Sequence, residues 1–133
     1  MKKIKKKNIL VDMTASLIHH GHIRLLRKAS KLGTVIVALT KDSEIIKHKK
    51  FYPPLNFNQR KEILIELNCV KKVIKSNYKI TQNFLDKHKI DLIVNGSDYK
   101  NRKFLTKSIS FPRTKNINSS IMRKKLLKGK TIK

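Results

Sequence analysis

The chain reads as an α/β protein built on a parallel sheet, and three observations carry that reading. Short runs such as NILVDM, TVIVALT and DLIVN are apolar and rich in β-branched residues, the composition of strands covered on both faces. The stretches between them repeat apolar residues at helical spacing. The two signals alternate along the whole chain, the order that right-handed crossovers impose on a parallel sheet.

Taken in order, Asn8–Met13 is a buried strand and 14–21 a loop. Residues 22–32 place Ile23, Leu25, Leu26, Ala29 and Leu32 on one side of a helix that Gly33 is set to stop. Thr34–Thr40 is the second strand, and Asp42 caps a short helix through Ile46. Pro53 and Pro54 mark 47–57 as a loop. A helix over 58–67 follows, with Ile63, Leu64 and Leu67 on one side, then a third strand over 70–75. Thr81 caps a helix to His88, Asp91–Asn95 forms a fourth strand closed by Gly96, and Ser108–Phe111 forms a fifth ended by Pro112. Asn118 or Ser119 opens a last helix through Leu127. In such a sheet ligands bind beyond the carboxyl ends of the strands, at the reversal of strand order. Loops 14–21, 41–57, 96–103 and 113–120 are therefore where a site is expected.

With 133 residues the chain is expected to form one domain with basic tails at 1–7 and 128–133. Its 33 Lys and Arg against 8 Asp and Glu make a net charge of +25. Residues 2–7 and 123–133 hold 11 of those basic residues and no acid, which leaves +14 on the segment between them. Charge of this kind draws anions, from a nucleotide to a nucleic acid. No helix-turn-helix, zinc finger or RNA-stacking aromatic pattern accompanies it, so a basic nucleic-acid-binding protein is the lesser reading. Lys, Ile and Asn, at 27, 17 and 10 residues, are over-used throughout, which assigns many surface lysines to composition rather than to a partner. The single cysteine, Cys69, excludes an intrachain disulfide framework and a cysteine-cluster zinc site. No apolar run approaches the roughly 18 residues that span a membrane, and no signal-peptide core follows the first lysines, so a cytoplasmic protein is expected.

The densest chemistry is at LIHHGHIRLL, where His19, Gly21 and His22 stand as H-x-G-H between a strand and a helix. A helix N-terminus presents unpaired N–H groups and partial positive charge to a phosphate, and a glycine there allows close approach. Two imidazoles beside it add donors for phosphoryl oxygens. No acid or cysteine stands beside them to complete a zinc site.

H-x-G-H in the first strand-to-helix loop resembles the signature of the nucleotidyltransferase superfamily, and the chain from about Asn8 to Leu126 is similar to its cytidylyltransferases. Leu25–Gly33 (LLRKASKLG) resembles a structural helix segment of that family. Lys47–Lys50 (KHKK), followed by Arg60-Lys61, resembles its lysine loop and the Arg-Lys of its next helix. Asn95-Gly96-Ser97-Asp98-Tyr99 is similar to G-D-D-W, with Ser97 in place of the first acid and Asp98 retained. Arg113-Thr114-Lys115-Asn116-Ile117-Asn118-Ser119-Ser120 is similar to the second signature, R-T-E-G-I-S-T-T, with Lys115 and Asn116 departing from it. The first loop departs too, since Ser16 stands where the family carries an acid associated with Mg²⁺.

The resemblance implies a Rossmann-like three-layer α/β/α fold with a five-stranded parallel sheet. It implies transfer of CMP from CTP, with Mg²⁺, to a small phosphorylated alcohol resembling glycerol 3-phosphate, or to a phosphonate, releasing pyrophosphate. Carried over residue by residue, His19, His22, Lys47 and Lys49 would be catalytic. Thr14, Gly21, Asp98, Arg113, Thr114 and Ser119 would bind nucleotide, and Arg60 and Tyr78 the acceptor. For Arg60 the alternative is capping of local carbonyls, and for Tyr78 ordinary packing. No metal ligand is assigned. A homodimer is implied, and an adenylyltransferase of the same fold acting on a sugar phosphate is the nearest alternative.

Overall fold

Side-chain alternation along the first strand divides the core in two. Strand β1 (Asn8–Met13) sends Ile9, Val11 and Met13 into one cluster and Leu10 into the other. Strand β2 (Thr34–Thr40) does the same with Val35, Val37 and Leu39 against Ile36 and Ala38. The first cluster is covered by Leu26 and Ala29 of helix α1 (His20–Ser30) and Leu64 of helix α3 (Phe57–Ile65). The second is covered by Leu85 of helix α4 (Gln82–Lys87) together with Ile80 and Ile90. Strands β3 (Lys72–Ser76), β4 (Leu92–Gly96) and β5 (Lys107–Phe111), and helices α2 (Asp42–Lys49) and α5 (Ser119–Leu127), complete the element list. The sheet order is β3-β2-β1-β4-β5 and every registered pair is parallel. Layers of helix on both faces of a five-stranded parallel sheet are the expected Rossmann-like arrangement. The computed structural model describes residues 6–96, 104–112, 114–115 and 119–127.

The end of α2, its cap and the start of α3 depart from the sequence reading, each for a local reason. Helix α2 continues to Lys49 rather than stopping at Ile46, because Lys47, His48 and Lys49 meet the negative end of the helix dipole. Lys50, at φ 60°, ends it in the left-handed region. Helix α3 starts at Phe57, one residue before the expected start, because Asn56 and Gln59 cap it reciprocally. Asn56 Oδ1 accepts from the Gln59 N–H at 2.9 Å, and Gln59 Oε1 accepts from the Asn56 N–H at 2.9 Å. Asp42 does not cap α2; Lys41 holds the cap position without a side-chain bond.

Asp42 is instead used to hold Arg60, whose side chain is 0% exposed. Arg60 Nη2 donates to Asp42 Oδ1 at 2.6 Å, Nε to the Leu55 carbonyl at 3.0 Å, and Nη1 to the carbonyls of Thr14 at 2.7 Å and Thr40 at 2.9 Å. Burial pulls the guanidinium down from its ordinary range, and the hydrogen bond and charge of Asp42 push it back up. The reading of Arg60 as an acceptor contact is therefore corrected: it caps carbonyls, and its donors point into the protein. It ties the end of β1 to the end of β2 and to the start of α2, and so fixes the loops that surround the carboxyl edge of the sheet.

Removing one member of such a buried pair costs about 3–5 kcal/mol. Arg60→Ala is expected to lose stability in that range by urea unfolding, and Arg60→Lys to recover little, since an ammonium cannot serve four acceptors in a plane. A second effect concerns pH. Burial, then the charges of Lys87 and Lys72, hold the His88 imidazole below its ordinary 6.5. The unfolded chain thus takes up a proton more readily than the native one, so this contribution is present above pH 6.5 and lost as pH falls. His88→Gln is expected to flatten the acid limb of melting temperature against pH.

Candidate active site

The sheet opens at its carboxyl edge. The β1–β2 register runs through Met13 and Leu39, and the β4–β5 register through Gly96 and Phe111. Between β1 and β4 it ends at Leu10 and Ile93. The two strands thus part over their last residues, at the reversal of strand order where doubly wound sheets bind ligands.

The chain leaves β1 through a loop with little freedom. The Thr14 carbonyl is held by Arg60. Ala15 is 2% exposed and sits at φ 47°, a conformation that costs a non-glycine residue about 1–2 kcal/mol. Ser16 is 1% exposed, so the residue standing at the family's acidic position is packed inward.

His19 ends this loop as the N-cap of α1, which begins at His20, two residues before the helix expected from 22–32. Its Nδ1 accepts from the Gly21 N–H at 3.1 Å, and His22 Nδ1 accepts from the His19 N–H at 3.1 Å. The rings lie 4.0 Å apart between centroids, tilted by 36°. The arrangement is a capping box made of two histidines. An Nδ1 that accepts a hydrogen bond carries no proton, so each neutral ring holds its proton on Nε2. The local fold therefore sets both tautomers and places two Nε2–H donors at the head of α1. The same geometry changes the expected role of Gly21, because its N–H is bonded to His19 and the anion-binding capacity of this turn resides more in the imidazoles than in the glycine amide.

The lysines stand on α2 rather than in a loop. Lys49 follows buried Ile45 by one turn and lies on the core side of the helix, whereas Lys47, two residues away, is turned by roughly 200°. Both are exposed, and the helix does not converge them on one point. Tyr78 packs against the same helix. Its ring stacks on His48 at 4.6 Å and 13°, and its backbone N–H donates to Glu44 Oε1 at 3.1 Å. His48, which sequence spacing did not mark, thus joins Tyr78 to the lysine helix. Thr114 is half-buried, and Ser119 is the first residue of α5. Asp98, Arg113 and the side chain of Ser119 lie outside the described residues.

The two functions of the histidines, capping and donation, are separable. His19→Asn keeps a cap acceptor and is expected to melt close to wild type, whereas His19→Ala loses about 1 kcal/mol of stability. His22→Gln retains the reciprocal bond. All three substitutions remove an Nε2–H donor, and each is expected to lower a phosphoryl-transfer rate by about 10²–10³. Thermal melts beside steady-state rates check this.

Comparison with known proteins agrees with this geometry. A family model described as cytidylyltransferase-like matches residues 14–126. The chain is 33% identical over 125 residues to a glycerol-3-phosphate cytidylyltransferase of Bacillus spizizenii, covering 89% of this chain and 95% of that one. It is 36% identical over 97 residues to a glycerol-3-phosphate cytidylyltransferase of Staphylococcus aureus, covering 71% and 72%. Among solved structures, the lipopolysaccharide core biosynthesis protein of Thermoplasma volcanium shares the fold, with a TM-score of 0.71 at 21% identity over 82% of this chain and 98% of that one. The match spans the histidine box, the lysine helix and the start of α5, and the chain belongs to the cytidylyltransferase-like family.

Proposed function

We propose that the protein transfers CMP from CTP to a small phosphorylated alcohol of the glycerol 3-phosphate type and releases pyrophosphate. The single observation that carries this reading is the histidine capping box, which fixes two Nε2–H donors beside the opening between β1 and β4. The similarity to glycerol-3-phosphate cytidylyltransferases supports the choice of CTP and of a phosphorylated alcohol.

In the proposed reaction an acceptor phosphate oxygen attacks the α-phosphorus of CTP in line. A new P–O bond forms as the bond to the oxygen bridging the α- and β-phosphorus breaks, and pyrophosphate leaves with that electron pair. The attacking phosphate is already an anion, so the protein need not supply a nucleophile. Its contribution is positioning and preorganised charge. His19 and His22 donate to the α-phosphoryl oxygens as negative charge grows there. Lys47 and Lys49, on different sides of α2, serve different phosphates, one on the triphosphate and one on the acceptor. Thr14 borders the triphosphate through a loop that Arg60 holds still. Asp98, Arg113, Thr114 and Ser119 complete the nucleotide contacts in this reading, and Tyr78 borders the acceptor.

Mg²⁺ belongs to the proposal as the counter-ion of the triphosphate. Among the described residues no group of three or more His, Cys, Asp or Glu is placed to hold an ion, and Mg²⁺ commonly relies on one or two carboxylates plus substrate phosphates. When bound it would neutralise phosphate charge. A homodimer and a cytoplasmic location are part of the same reading; no helix among the described residues is long and apolar enough to cross a membrane.

Pyrophosphate release with each of the four nucleoside triphosphates, crossed with glycerol 3-phosphate, a sugar phosphate and a phosphonate, tests the assignment. Turnover is expected with CTP and glycerol 3-phosphate, and is expected to weaken as salt screens the site. Turnover with ATP and a sugar phosphate but not with CTP would overturn it.

A further inference from the structure

Helix α2 carries both candidate lysines, and its two halves are held by different means. The first half is tied by polar bonds and burial. Asp42 holds Arg60 and accepts from the Phe57 N–H at 3.1 Å, the Lys41 N–H donates to the Ser76 carbonyl at 3.0 Å, and Ile45 is fully buried. Beyond Ile46 the helix turns outward. Lys47, His48 and Lys49 are all exposed, and the left-handed Lys50 ends it. The last turn of a helix leaves carbonyls unpaired and opens readily where little packs on it.

What packs on this turn is the ring of Tyr78. The His48 and Tyr78 rings stack at 4.6 Å with 13° between their planes, the spacing of an offset stack. Tyr78 is itself fixed, because its N–H donates at 3.1 Å to Glu44 Oε1, about one turn back on the same helix. The same carboxylate oxygen lies 3.9 Å from His48 Nε2. Glu44, His48 and Tyr78 thus close a ring of contacts between α2 and the chain that leaves β3. His48 stands between Lys47 and Lys49, and successive helical residues are about 100° apart. Fixing the His48 ring therefore fixes the directions in which both lysines leave the helix.

We propose that His48 is a positioning residue: by stacking on Tyr78 it holds the last turn of α2 in the geometry that presents Lys47 and Lys49 to phosphate. The task of the lysines rests on the proposed function; the stack and the turn it holds do not. An aromatic stack favours the held turn over the open one by roughly 2- to 12-fold. A site that is competent only while the turn is held binds its ligands more weakly in proportion to the fraction lost. Removal of the ring therefore acts on affinity. Once both substrates are bound, their phosphates hold the lysines and the chemical step proceeds as before.

Steady-state rates of His48→Ala, His48→Phe and His48→Gln separate positioning from direct donation, using whichever triphosphate and acceptor turn over in the crossed assay. Phe keeps a ring and has no donor; Gln keeps a donor and has no ring. His48→Ala and His48→Gln are expected to raise KM for both substrates by about 3- to 10-fold with kcat within about twofold, and His48→Phe to restore KM. Rescue by Gln but not by Phe, or a fall in kcat at unchanged KM, overturns the proposal, since each marks a group that touches the reacting phosphates. Amide exchange at 47–50 in the ligand-free full chain reads the turn itself. It is expected to quicken in His48→Ala and His48→Gln and to match wild type in His48→Phe. Exchange unchanged in His48→Ala also overturns the proposal. This readout needs no substrate, so it decides the positioning role even if no pair turns over, and failure of the proposed function is told apart from failure of the stack.

Discussion

A single guanidinium, taken out of water, holds the edge of the sheet on which the candidate site is built. Arg60 reaches the end of β1, the end of β2 and the start of α2 from a position on α3. Burying that charge is tolerable because its donors end on three carbonyls and on Asp42, and planar Arg geometry allows several acceptors at once. With the Thr14 carbonyl fixed, the chain can pass through the left-handed turn at Ala15 and deliver His19 to the head of α1. The strain of that turn and the order of the histidines thus share one support.

The histidines show how local structure and proposed chemistry can use the same atoms. Capping satisfies backbone donors that a helix start otherwise leaves to water. Here it also decides which ring nitrogen bears the proton. A ring that packed without the cap would have two tautomers to choose between. The tilted contact between the rings then keeps both donors close together.

Much of this was legible in the chain. All five strands were placed to within two residues at their starts; for β1, β2 and β4 this is because strands covered on both faces demand β-branched side chains, whereas β5 is exposed along most of its length. The Thr81 cap and the first residue of α5 followed from hydroxyl chemistry at helix starts. The end of α2 was not legible, since two lysines and a histidine in a last turn and a left-handed Lys50 leave a weaker signal than a glycine. Carbonyl capping by Arg60 was one of two roles open to it from the sequence; its four acceptors were not legible, because they come from separate stretches of chain and depend on tertiary placement. Asp12 carried a signal that periodicity does not weigh, an acid inside an apolar strand of a strongly basic protein.

The uneven strand register has a mechanical consequence. Among the described residues, β3, β2 and β1 form one well-laced half of the sheet and β4 with β5 another, joined by two registered pairs, Ile9 with Leu92 and Leu10 with Ile93. Amide exchange by local opening follows the weakest seam rather than the global stability. A molecule bound across that seam would lace the halves together from outside, so occupancy stiffens the sheet where its own hydrogen bonds run out.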